Sequence, residues 1–309
     1  MTLTATDLVL DATDVSKAYG AVVALRSASL AVRPGEVHAL MGANGAGKST
    51  FVKILTGAVR PDAGRIAVRG RELAAHSPGE ARGLGLVSVY QEPSVVPDLD
   101  IRSNLRLTDT PVERFRHWLD ELGHPQLDLS TIARDVPLAS LRIVDLARAL
   151  AIEPKLLLLD EMTAALPADL TERVLDVIGR QRGGDGSVIF ISHRMIEIAA
   201  ICDRATVLRE GVTVGVVDVT ERSEERIVQL MLGDIEALPE RADGHRAAGA
   251  RAADTRPRLA VKGLGAGTVL EDVSFDSGRK DSRVTIDAPY VDARLGDLAK
   301  SEDLARYVL

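Results

Sequence analysis

The chain has 309 residues, 46% hydrophobic and 27% charged, a composition that packs a core and excludes wholesale disorder, and at about 150 residues per domain it has room for two domains. Its 38 Lys and Arg against 45 Asp and Glu leave a formal charge of −7, and aromatic residues make up only 3%, which argues against nucleic acid, whose phosphates need clustered positive charge and whose bases need stacking rings. The single cysteine, Cys202, excludes an intrachain disulfide and fits a reducing compartment, and no apolar run approaches the ~20 residues of a bilayer span, so any membrane role comes through a partner.

In chain order, strand-like runs rich in Val, Leu and Ile stand at Leu8–Leu10, Val37–Met41, Leu86–Tyr90, Leu156–Leu159 and Val188–Ser192. Continuous apolar runs such as LLLL predict strands buried on both faces of a parallel sheet, hence an α/β fold with helices between the strands. Between Pro97 and Val136 the chain reads as short helical pieces broken by prolines and Gly123, an inserted helical subdomain spanning about 97–151. Its last part, Ser140–Ala151, has one apolar stripe of Ile143, Val144, Ala147, Leu150 and Ala151, with Ser140 as the expected N-cap.

The segment Gly42–Thr50 reads GANGAGKST between the run EVHALM and the helical pattern FVKILTG, the order strand, phosphate loop, helix. Glycines there accept positive φ and turn N–H groups toward phosphate oxygens, and the helix presents its positive end. Lys48 would reach the β- and γ-phosphates and the Ser49 hydroxyl would ligate Mg²⁺. The strand LLLLDE ends in two carboxylates: Asp160 is placed to hold Mg²⁺ and Glu161 to orient or deprotonate the attacking water. Gln91 follows the strand LVSVY and His193 follows VIFIS, both at strand carboxyl ends, where ligands bind in open α/β sheets. His38 lies inside a strand and reads as a satisfied sheet residue; His76, His117, His124 and His245 lack acidic or Cys neighbours at metal-ligand spacing, so Mg²⁺ is the only metal expected.

Five ordered motifs, KAYG (17–20), GANGAGKST, VYQE (89–92), LLLLDEMTAAL (156–166) and ISHRM (191–195), resemble the nucleotide-binding subunits of ABC transporters. More narrowly, KILTGAVRPDAGRIAVRG, VYQEPSVVPDLDIRSNL and DEMTAALPADL resemble the first half of ATPases that power sugar importers. The resemblance implies a mostly parallel sheet with antiparallel N-terminal strands and a helical insertion, over about residues 1–236. It implies that Tyr19 stacks on adenine, the alternative being a packed surface aromatic. It implies that Gly42, Asn44, Gly45, Ala46, Gly47, Lys48, Ser49 and Thr50 hold the phosphates of ATP with Mg²⁺. Gln91 would touch Mg²⁺ or water and signal to the membrane partner, and His193 would meet the γ-phosphate, a plain capping role being its alternative. The implied partners are permease subunits, a second nucleotide-binding domain on this or another chain and, indirectly, a sugar-binding protein, at the cytoplasmic face of the membrane.

The pattern breaks where the family carries LSGGQ or close variants. That place holds VPLASLR (136–142), with Pro137 at the serine position and Ala139 at the glycine, and with Leu141 beside the place of the glutamine. Proline offers neither hydroxyl nor N–H, so the segment is expected to serve a partner's γ-phosphate poorly and the pair of sites to be asymmetric. Pro167 likewise replaces a polar residue of the next loop. From Ala237 to Arg258 the composition is that of a flexible linker. Residues 259–275 resemble the opening strands of a second nucleotide-binding domain, but no second phosphate loop follows, and SGRKDSRVTIDAPYVDARLGDLAKSEDLARYVL resembles the C-terminus of HslU-type unfoldases. The expectation is a truncated second domain joined to a foreign end. Alternatives to a hydrolysing importer subunit are a degenerate ATP-binding regulatory module and a fusion whose tail docks to an HslV-type peptidase.

Overall fold

The computed structural model describes residues 8–74, 76–164, 166–183, 186–220 and 222–233. The chain divides into two units, 1–240 and 241–309, and every described residue lies in the first; the expected linker at 237–258 and the segment 259–309 lie outside the described residues. The parallel strands form where the apolar runs predicted them: β3 (Val37–Met41), β6 (Leu86–Val89), β7 (Leu156–Asp160) and β8 (Ser187–Ile191). They pair in the order β3–β8–β7–β6, with Leu157 opposite Val188 and Leu86 opposite Leu156.

Alternate residues of these strands feed two separate cores, which is why the runs show no polar alternation. Val37, Ala39, Leu157, Leu159, Val188 and Phe190 pack on one face with the helical insertion. Leu40, Leu156, Leu158, Ile189 and Ile191 pack on the other with Phe51, Val52, Ile54 and Leu55 of α1 (Lys48–Leu55). Each fully buried Leu or Ile contributes about 1.5–3 kcal/mol relative to exposure.

The N-terminal strands extend well past the expected Leu8–Leu10. β1 runs from Leu10 to Tyr19 and pairs antiparallel with β2 (Val22–Val32) and β4 (Ala63–Val68), which carries the short β5 (Arg71–Glu72). Only one face of β1 is buried, and register shifts between Ala12 and Ala18 break its alternation, so no clean period marks it in the sequence. With β9 (Arg204–Arg209) and β10 (Val212–Asp218) the described residues form one ten-stranded sheet, β5-β4-β1-β2-β10-β9-β3-β8-β7-β6.

After α2 (Pro78–Gly83), the insertion holds α3 (Ile101–Leu107), capped by Asp100 accepting from the Ser103 N–H at 2.6 Å, then α4 (Val112–Glu121), a 3₁₀ turn at Ala133–Asp135 and α5 (Leu138–Ala151). Ser140 is not the N-cap of α5. The helix starts two residues earlier, after Pro137 (φ −55°, ψ 143°), whose carbonyl accepts from the Leu141 N–H at 2.9 Å; Ser140 sits in the first turn with its hydroxyl 3.1 Å from His124 Nε2. The remaining helices are α6 (Ala168–Gly179), α7 (Met195–Ile201) and α8 (Ser223–Leu232).

Candidate functional site

Strand β3 delivers the chain into Gly42–Gly47 and α1 leaves from Lys48. Gly45 and Gly47 stand at φ +81° and +101°, the left-handed region glycine tolerates. At Gly45 a Cβ would meet open space; at Gly47 it would lie 2.6 Å from the Ala24 main-chain oxygen and 2.7 Å from Leu25 Cδ2. Gly47 is therefore required twice, by its dihedral and by the closeness of β2. Lys48 Nζ folds back to donate to the main-chain oxygens of Gly42 (2.7 Å) and Ala43 (3.1 Å). Burial lowers its pKa, while the negative charges of Glu161 and Asp160 act to raise it.

A cavity of about 480 Å³ opens over this loop. Asn44, Gly45, Gly47, Lys48, Ser49 and Thr50 form its floor, Gln91, Asp160 and Glu161 one wall, and Val22, Val23 and Ala24 of β2 the other. Burial and the neighbouring Glu161 raise the Asp160 carboxyl above the ordinary carboxylate range, against the pull of Lys48 and Lys53. Glu161 adopts φ +48°, and its N–H donates to the Ile191 oxygen at 3.0 Å. His193, exposed over 64% of its side chain, holds Nδ1 3.9 Å from Glu161 Oε1.

The structure thus brings together nine of the residues picked from the sequence. Gly42 and Ala46, though part of the loop, do not line the cavity, and neither do His193 and Tyr19. Tyr19 is 48% exposed at the end of β1, paired with the cavity residue Val22, with Lys17 Nζ 5.7 Å from its ring centroid. His38 is the buried sheet residue expected, with Nδ1 3.0 Å from Glu36 Oε1 and Nε2 2.7 Å from Thr206 Oγ1.

The donors facing the cavity suit a hard divalent cation bridging to phosphate. Ser49, Gln91 and Asp160 offer only oxygen ligands, the set Mg²⁺ prefers when it shares its coordination with a nucleotide. Among the described residues no three His, Cys, Asp or Glu gather as a cage, so such an ion would rely on the phosphates themselves.

Several supporting residues escaped the sequence reading. Glu197, 2% exposed on α7, accepts from Thr163 Oγ1 (2.8 Å), Ser192 Oγ (2.6 Å) and Arg194 Nη1 (3.0 Å); it ties the turn after Glu161 to the loop bearing His193. Asp145, 1% exposed on α5, accepts from the Ser94 N–H at 3.1 Å and pairs with Arg148. The available signal was a carboxylate set within an apolar helical stripe, which a folded chain buries only with partners.

A family model described as ABC transporter matches residues 25–164. The chain is 36% identical over 274 residues to the ribose import ATP-binding protein RbsA 1 of Rhizobium johnstonii, covering 85% of this chain and 52% of that protein. It is 38% identical over 284 residues to RbsA 2 of Streptomyces avermitilis, covering 88% and 54%. The chain spans about half the length of the curated relatives it matches. Among solved structures, the ADP conformation of MJ1267, an ATP-binding cassette of an ABC transporter, superposes with TM-score 0.62 at 23% identity over 74% of this chain and 99% of that one. The cbiO1 protein of Clostridium perfringens, part of an ABC transporter complex, superposes with TM-score 0.61 at 23% identity over 72% and 93%. These matches lend no support to an unfoldase-like ending of the chain.

Proposed function

We propose that the chain, whose residues 25–164 match a family model described as ABC transporter, is the ATP-binding and ATP-hydrolysing subunit that energises a membrane permease importing a sugar. The observation that carries the reading is the single cavity in which a phosphate loop, Lys48, Ser49, Gln91, Asp160 and Glu161 converge. Relatives named for ribose import support a sugar as cargo. Among the described residues no helix is long and apolar enough to cross a membrane. In the proposed reading the chain acts against the permease from its cytoplasmic face.

In this reading the loop N–H groups and Lys48 hold the β- and γ-phosphates, and the exposed apolar pair Val22 and Val23, 67% and 53% accessible, offers a wall to the base beside Tyr19. Mg²⁺, held by Ser49, Asp160 and Gln91, would neutralise charge gathering on the phosphates. Glu161 orients the attacking water and takes its proton, and His193 steadies the γ-phosphate from the exposed rim. Tyr90 and Ser94, on either side of Gln91, line a separate cleft of about 310 Å³ with Arg82 and Arg148. The Gln91 loop therefore runs between the nucleotide cavity and a surface cleft, as a relay to the permease requires.

A second nucleotide-binding domain, on another copy or another chain, would close over the ATP. Pro137 caps α5 with no side-chain hydrogen bond, which supports an asymmetric pair in which this chain's VPLASLR segment serves the partner's site weakly. The same observation favours the alternative of a slow regulatory module. A match that covers 88% of the chain has to run past about residue 270, which supports reading 259 onward as the opening of a second domain after a nucleotide-binding domain at 1–236. ATP turnover by the full chain with its permease and partner domain is the test: Glu161→Gln should abolish most of it, and turnover that survives the change refutes the assignment.

A further inference from the structure

Arg142 lies one turn inside α5 and points into the protein. It is 7% exposed, its Nη1 donates to the Met162 main-chain oxygen at 3.1 Å and approaches that of Glu161 at 3.4 Å, and its Nε is buried without a partner. Among the described residues it forms no ion pair. An unpaired, incompletely bonded guanidinium in the interior costs folding free energy, so stability does not account for it. What it grips is the turn that presents Glu161.

That turn is strained and over-determined. Glu161 stands at φ +48°, where a non-glycine residue persists only if its surroundings hold it there. Ile191 holds its N–H at 3.0 Å, Glu197 holds the Thr163 hydroxyl at 2.8 Å, and Arg142 holds the carbonyls between them. Three and six residues along α5, Asp145 accepts from the Ser94 N–H at 3.1 Å and Arg148 donates to the Ser94 oxygen at 2.8 Å. Ser94 lies three residues after Gln91. One helix thus grips the backbone of both loops that wall the nucleotide cavity.

We propose that Arg142 is a positioning residue that fixes the Glu161 turn from α5, making α5 a bar that sets Glu161 relative to the Gln91 loop. Its consequence for hydrolysis rests on the function proposed above; the mechanical coupling does not. A shift of α5 would displace the water-orienting carboxylate and the Gln91 loop together.

The test uses the full chain with Arg142→Met, which keeps the apolar stem and removes both hydrogen bonds made by Nη1, and Arg142→Lys, which keeps a cation able to reach one oxygen. Hydrogen exchange read by mass spectrometry reports the turn without hydrolysis, through the Glu161 amide, which donates to the Ile191 oxygen, and the Ala164 amide, which donates to that of Glu161. In Arg142→Met these should exchange about tenfold faster or more, with residues 42–50 unchanged and Arg142→Lys intermediate. ATP turnover should fall about tenfold with KM for ATP within about twofold, and Arg142→Met should add nothing in a Glu161→Gln background. Unchanged exchange at 161–164, or acceleration spread equally over the phosphate loop, overturns the proposal whether or not the chain hydrolyses ATP. Local acceleration in a chain whose turnover ignores Glu161→Gln keeps the coupling and sinks the hydrolytic reading instead. If Arg142→Met does not fold, Arg142→Lys carries the same exchange measurement.

Discussion

Two glycines of one loop should respond to the same substitution differently, because only one of them is enclosed. Gly45 and Gly47 both hold positive φ, so alanine at either meets a backbone penalty of about 1–2 kcal/mol. At Gly45 nothing lies within 4 Å of the added Cβ, and the cost stops there. At Gly47 the methyl would lie 2.6 Å from the Ala24 oxygen and 2.7 Å from Leu25 Cδ2, so β2 has to move, adding about 1–3 kcal/mol of overpacking. For a domain of this size about 2–4 °C of melting temperature corresponds to 1 kcal/mol. Gly45→Ala should therefore melt about 2–8 °C below the parent chain, and Gly47→Ala about 2–12 °C lower again. Because Ala24 lines the nucleotide cavity, Gly47→Ala should also weaken ATP binding, measured by titration calorimetry, well beyond Gly45→Ala. Melting points within about 1 °C of each other would refute the claim that β2 encloses the loop at Gly47.

Asp160→Asn should stabilise the Mg²⁺-free chain at neutral pH. Burial and Glu161 raise the Asp160 carboxyl, so the folded state binds its proton more readily than the unfolded state and stability falls as pH rises through the folded pKa; calorimetry should show the variant's advantage at pH 7–8 closing on acidification, and an advantage that widens in acid contradicts it. Glu36 behaves in the opposite sense. Burial alone would raise its carboxyl, but hydrogen bonds from His38 and Arg204 outweigh that and bring it from 4.5 to about 2, so its contribution is complete above pH 4.5 and is lost as pH falls toward 2. Glu36→Gln, which breaks this buried group, should cost about 3 kcal/mol at pH 7 in urea unfolding, with the gap to the parent shrinking between pH 4.5 and 2. Replacing Pro137 and Ala139 by Ser and Gly should raise ATP turnover in the assembled pair while leaving this chain's own affinity for ATP unchanged; unaltered turnover would show that the segment does not limit the partner's site.

The parts of the fold that sequence made legible are those in which one physical demand dominates. Leu156–Leu159 must bury every side chain, so they read as a central parallel strand without any period, and Gly42–Thr50 has to turn sharply between β3 and α1 with Gly45 and Gly47 at positive φ, so its glycines read directly. Strand β1 was legible only at its first residue. Its inner positions Leu10, Ala12 and Val15 are buried, but Asp14 at φ +51° and the shifts in pairing put its outer side chains out of step. Helix α5 was recognised by its stripe, yet its start was misplaced because Ser140 looks like a cap, and a proline at the position before a helix fixes the entry by its ring rather than by a hydroxyl. The buried polar residues Arg142, Asp145 and Glu197 were harder to read: a charged group inside an apolar helical pattern marks a need for partners, but the ones on Met162, Ser94 and Thr163 are distant in sequence.

Those residues also change what the altered VPLASLR segment implies. Read as a string, Pro137 and Ala139 suggest a helix that has lost its use, since neither supplies the hydroxyl or freely placed N–H that would reach into a partner's site. In the fold the same helix is anchored by its buried face, through Arg142, Asp145 and Arg148, to the two loops of its own cavity. The residues at the start of the helix and the buried polar groups further along it occupy successive turns of α5, so the first can change while the second keep their partners. Loss of the first does not loosen the second, so a chain with a poor outward segment can still hold Gln91 and Glu161 in register. In the proposed pair the asymmetry would therefore arise at the N-terminus of α5, while the contacts of Arg142, Asp145 and Arg148 would keep this chain's own site assembled.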